Sequence, residues 1–159
     1  MDTVYKSEQI SILSDSLNIS KTDVKAILDA YISRLTDKLE KGETVKFLNI
    51  CYLVNDNKGK NGYHETLAYI SNEIGTQVKI GKDVVYRVLS DFEDIIAQDV
   101  SKFYTYTIRG IIGISRCEYK KGVFKLRVKK SSVYNSVGIR VVTLNSFRRK
   151  VEYYDRKNS

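Results

Sequence analysis

Along residues 21–40 the apolar positions Val24, Ile27, Leu28, Tyr31, Leu35 and Leu39 recur at steps of three and four, the spacing of one face of an α-helix. Ser20 stands where an N-cap belongs, with Asp23 three residues on, near the positive helix end. Gly42, with Lys38 and Lys41 before it, marks the stop. A shorter upstream segment keeps the same rhythm at Ile10, Leu13 and Leu17. After Gly42 the pattern changes. "TVKFLNICYLV" is rich in β-branched and aromatic residues and predicts a pair of strands.

The order helix, helix, strand pair then repeats. Residues 20–54 laid on residues 81–115, an offset of 61 without gaps, bring the apolar positions into coincidence. Val24 falls on Val85, Leu28 on Leu89, Tyr31 on Phe92, Leu35 on Ile96 and Leu39 on Val100. Val45, Phe47 and Leu53 then fall on Tyr106, Ile108 and Ile114. In the second copy Leu67, Ile70 and Ile74 carry the short helix, and Gly81 replaces the capping serine ahead of Asp83.

The second copy runs on. "KKGVFKLRVKK" alternates residue by residue, with Phe124, Leu126 and Val128 on one side and Lys125, Arg127 and Lys129 on the other. Together with the strand before it, this predicts a hairpin arm over about 115–132. Leu144, Phe147 and Val151 are spaced for a last helix over about 143–154. The fold class is therefore α+β, in two halves. Residues 1–56 form a first half without an arm, and 57–62 ("NKGKNG") form a polar linker. Residues 63–159 form a second half with the arm and the closing helix. Halves this small bury too little surface alone, so both are expected to share one core, as a pseudo-dimer in a single chain.

Composition narrows the chemistry. At 42% apolar and 29% charged residues, the chain folds rather than remaining disordered. No apolar run approaches the roughly 20 residues of a membrane span, and "MDTVYKSEQ" lacks a signal-peptide layout, so neither a membrane nor a secretion route is expected. Two separated cysteines and one histidine cannot supply a zinc site, and no metal or other cofactor is expected. Cys51 and Cys117 read as reduced thiols packed in or near sheets. His64, beside Glu65, has no nucleophile or second base at a suggestive spacing and reads as a surface residue. "GKNG" and "IRGIIG" are not phosphate-binding loops. The chain is not expected to be an enzyme or to take a small-molecule substrate.

Charge is distributed unevenly. Residues 1–61 hold nine Lys and Arg against nine Asp and Glu, residues 62–101 three against seven, and residues 102–159 fifteen against three. The last third thus makes a local field that attracts phosphate or an acidic protein surface. The contact candidates are Lys120, Lys121, Lys125, Arg127, Lys129 and Lys130 on the arm, and Arg148, Arg149 and Lys150 on the closing helix. Alternatives stay open. Lysines also protect strand edges, and cations also suit a helix C-terminus. Tyr104, Tyr106, Tyr153 and Tyr154 fit packing better than base stacking.

The element order resembles the HU/IHF family of bacterial DNA-bending proteins. The likeness is clearest over residues 19–53, where "KGETVKF" from Lys41 to Phe47 follows the capped helix. It is partial in the bends at Asn49, Ile50 and Cys51 and at Gly110, Ile111 and Ile112. It resumes in "SVGIRVVTLNSFRRKV" from Ser136. The resemblance implies a dimer-like body whose two β-arms wrap the DNA minor groove, with a proline at each tip wedged between base pairs. This chain departs from that pattern. It has no proline, no Arg-Asn-Pro tip and one arm instead of two.

Two readings follow. The departures favour a structural protein, a ring-forming component of a phage neck or tail that contacts copies of itself and neighbouring virion proteins. The alternative is an HU/IHF-like architectural protein in the host cytoplasm, contacting double-stranded DNA through its basic arm.

Overall fold

The computed structural model describes residues 7–55, 65–120, 123–131 and 138–158, the side chains of 119, 120 and 123 excepted. The linker placed at 57–62, His64 and Lys121 lie outside these residues, as does the side chain of Lys120. Among them the order is α1 (Ser7–Leu17), α2 (Lys21–Glu40), β1 (Val45–Phe47), β2 (Cys51–Asn55), α3 (Leu67–Val78), α4 (Lys82–Phe103), β3 (Thr105–Ile108), β4 (Ile112–Lys120), β5 (Val123–Lys130), β6 (Ile139–Thr143) and α5 (Asn145–Lys157). The mixed α+β class is as the residue pattern predicts.

The local signals act as expected. The Ser20 hydroxyl accepts the Asp23 N–H at 3.1 Å, and α2 ends in Lys41 followed by Gly42 at φ +70°. Gly81 begins α4 without a side-chain cap. The apolar stripes of both long helices are buried, from Val24 to Leu39 on α2 and from Val85 to Val100 on α4. Buried residues of α1 to α5 and of all six strands form one continuous core.

The strands form two antiparallel three-stranded sheets, β1–β2–β6 and β3–β4–β5. The bends inside them match at the 61-residue offset. The Ile50 N–H donates to the Phe47 carbonyl at 3.0 Å, and the Ile111 N–H to the Ile108 carbonyl at 3.0 Å. The first bend takes Leu48 to φ +49° and the second takes Gly110 to φ +81°. A non-glycine residue there is disfavoured. The buried Tyr31 hydroxyl holds the first bend by accepting the Leu48 N–H at 2.8 Å.

Sheet order departs from chain order at the closing strand. Read in sequence, residues 138–154 follow the second half. In space β6 pairs with β2, with Val141 opposite Leu53 and Ile139 opposite Asn55. It takes in the first sheet the place that β5 takes in the second. Thr143 lies opposite Cys51 as Lys130 lies opposite Ile112. The Leu144 N–H bonds the Ile50 carbonyl at 2.9 Å, as the Ser131 N–H bonds that of Ile111 at 2.8 Å. The physical reason is the open edge of β2, whose backbone groups need a partner that β1 cannot supply on that side.

Candidate nucleic-acid interface

The alternation of 124–129 is realised in β5. Phe124 is buried, and Leu126 and Val128 pack against the core, while Lys125, Arg127 and Lys129 are exposed. Their neighbours on the outer face follow from the register. Lys125 lies opposite Cys117, Arg127 opposite Ser115, and Lys129 opposite Gly113. Ser115 and Gly113 face Thr105 and Thr107 on β3 in turn. The outer face is therefore a floor of small, mostly polar residues with three cations along one margin. No Asp or Glu lies on it among the described residues. Lys130, half-buried, ends the strand.

The hairpin is not a free arm. Its apolar side lies on the body along β5, and its base is tied there by Arg116. On β4, Ile112 and Ile114 face inward, and Arg116 occupies the next inward position with its side chain 2% exposed. Its guanidinium packs over the Phe124 ring at 4.4 Å and the Tyr104 ring at 4.9 Å. It donates to the Ser101 carbonyl at 3.1 Å and pairs with Asp155 of α5 at 2.6 Å and with Glu118. Sequence reasoning missed this residue. The available signal was a cation at an inward position of an alternating strand, which requires partners elsewhere.

On the closing helix the three cations differ. Arg149 is exposed. Arg148 pairs with Glu152 at 3.0 Å and donates to the Phe124 carbonyl at 3.3 Å. Lys150 is paired with the buried Glu93 and with Asp94 at 2.9 Å. Burial alone would lower the Lys150 ammonium, but the two carboxylates outweigh it and hold the group above its ordinary value. Glu93 also accepts the Asn49 N–H at 2.7 Å, so it joins α4, the first bend and α5. Of the tyrosines, Tyr106 is buried and donates to Gln9 Oε1 at 3.1 Å, whereas Tyr153 is exposed.

Residues 4–64 match the family model described as "Bacterial DNA-binding protein". This stretch is an HU/IHF-like domain. No curated protein and no solved structure gives a significant match to the chain. The HU/IHF-like match takes in α1, α2, β1 and β2, and the cationic face of β5 lies beyond it. No helix among the described residues is long and apolar enough to cross a membrane.

Proposed function

We propose that the chain is a non-catalytic, HU/IHF-like architectural protein, DNA-associated, that holds double-stranded DNA by its phosphate backbone. The observation that carries this reading is the outer face of β3–β4–β5. Lys125, Arg127 and Lys129 project there from one strand, free of acidic neighbours among the described residues and above residues small enough to admit a close backbone. Phosphate contacts of this kind position a duplex without reading its sequence. The repeat, the matched bends and the two equivalent sheets support a single-chain pseudo-dimer. The second unit is inserted between β2 and β6, where the first unit's arm would leave its sheet. With no proline in the chain, the family's wedge is missing, and backbone contact without intercalation remains.

A ring-forming role in a phage neck or tail rests on the lost wedge, the lost arm and the twofold symmetry lost when two halves are fused, which leaves unlike sides for head-to-tail contacts. The match of residues 4–64 to a DNA-binding family favours the DNA reading.

Affinity for duplexes of different sequence, measured against salt, tests the proposal. It should fall steeply with salt. Replacing Lys125, Arg127 and Lys129 together by Ala should weaken all duplexes alike and reduce the log–log salt slope by about 0.9 for each phosphate that is no longer neutralised. Absence of duplex binding at low salt, or an unchanged slope in the variant, would reject this reading.

A further inference from the structure

We propose that α5 braces the β4–β5 hairpin through Asp155 and Arg116, so that the cationic face meets DNA already in place rather than as an arm ordered on binding. The inference rests on the DNA reading for its partner, but its physical content can be checked without DNA. Two contacts tie the hairpin to α5. At β4, Arg116 is enclosed by the Tyr104 and Phe124 rings and held by Asp155. At β5, the Phe124 carbonyl accepts from Arg148, which Glu152 holds from one turn further along the same helix. Phe124 is common to both, its ring beneath Arg116 and its carbonyl on Arg148. Moving the hairpin off the body would break the bonds of Arg116 to Asp155 and the Ser101 carbonyl and its contact with the Tyr104 ring, while Glu118 and Phe124 travel with it, so the open position loses every tie that Arg116 makes to α4 and α5 among the described residues. Lys125 and Arg127 are the next outward positions on β5 after Phe124, so the brace fixes where they point. Asp155 is therefore a positioning residue for a surface it does not belong to.

The sign of one substitution separates this from plain electrostatics. Asp155→Asn removes a negative charge from a basic protein, which on charge alone tightens DNA binding. If Asp155 positions the hairpin, the same change loosens it. With one charged hydrogen bond weakened, amide exchange in β4 and β5 should rise about tenfold in the free protein. Duplex affinity at constant salt should fall, while exchange in β1 and β2 stays as in the wild type. Arg116→Lys should behave likewise, since an ammonium cannot stack on two rings while pairing with two carboxylates. Unchanged β4–β5 exchange in both variants, or tighter DNA binding by Asp155→Asn, would overturn the proposal. A wild-type protein that bound no DNA would reject the functional reading and leave the exchange comparison to decide the brace.

Discussion

Glu93 shows how much one side chain can join. In the repeat it falls where the first copy has Ile32, so the stripe of α4 carries a carboxylate where α2 carries a methyl-bearing chain. It is fully buried, yet accepts the Asn49 N–H and pairs with Lys150. Burying a carboxylate is costly, and the ammonium and the amide offset the cost only while all three stay together. Glu93→Ala should therefore lower unfolding free energy by about 1–3 kcal/mol, because the Asn49 N–H loses its acceptor while Lys150, 33% exposed, keeps Asp94. A double variant, Glu93→Leu with Lys150→Met, should recover part of that loss, because a well-packed apolar pair avoids the desolvation cost. Urea melts of the three proteins check this. A single-variant loss under about 1 kcal/mol would place the Glu93 carboxylate in water rather than in the core.

At the scale of elements, the helices and the alternation of β5 were legible because each is written within a few residues. Caps, three-and-four spacing and period two need no knowledge of what lies across the core. The destination of β6 was not legible. "IRVVT" suits the open edge of β2 or of β5 equally, and only the three-dimensional pairing decides between them. The same limit hid Arg116. Its place in the alternation was visible, but its partners Asp155, Ser101 and Tyr104 are set by packing of α4 and α5 on the sheet. Of the surface candidates, Lys125, Arg127 and Lys129 stand exposed as the pattern said, whereas Lys150 is engaged by Glu93 and Asp94, a pairing no local spacing announces. The nested topology yields its own prediction. A chain of residues 1–64 contains α1, α2, β1 and β2, yet lacks β6 on the open edge of β2 and the α3–α4 surface that covers α2. Two strands and half a core do not hold a fold together. Circular dichroism of that fragment should show little helix and no cooperative melt, and a helical, sharply melting fragment would contradict the nesting.

For the molecule as a whole, the shared core makes protons matter at high pH. Burial pushes the Cys51 thiol from its ordinary 9.0 up to about 12. It also pushes the Tyr106 phenol from 10.0 up to about 12, against the opposing effect of its bond to Gln9. The fully buried Tyr31 is raised in the same direction, chiefly by burial, and Lys150 is raised by its carboxylates despite burial. Each of these groups keeps its proton in the folded chain at a pH where the unfolded chain releases it. Their contribution is thus complete below their unfolded values and is lost as pH rises toward the folded ones. No effect of this sign begins below about pH 9, so these groups leave stability flat between pH 7 and 9. Above that it should fall by about 1.4 kcal/mol per pH unit for each group then titrating only in the unfolded chain. Cys51 sets the onset, since its ordinary value is the lowest of the four. Cys51→Val keeps an apolar side chain of similar size in β2 and removes the earliest titration, so the decline should start near pH 10 instead of near 9. Denaturant midpoints of the two proteins from pH 8 to 11 decide the matter. Parallel curves would show that the thiol is hydrated and that the core opens at β2. A delayed fall in the variant would show that the β1–β2–β6 sheet is closed to water.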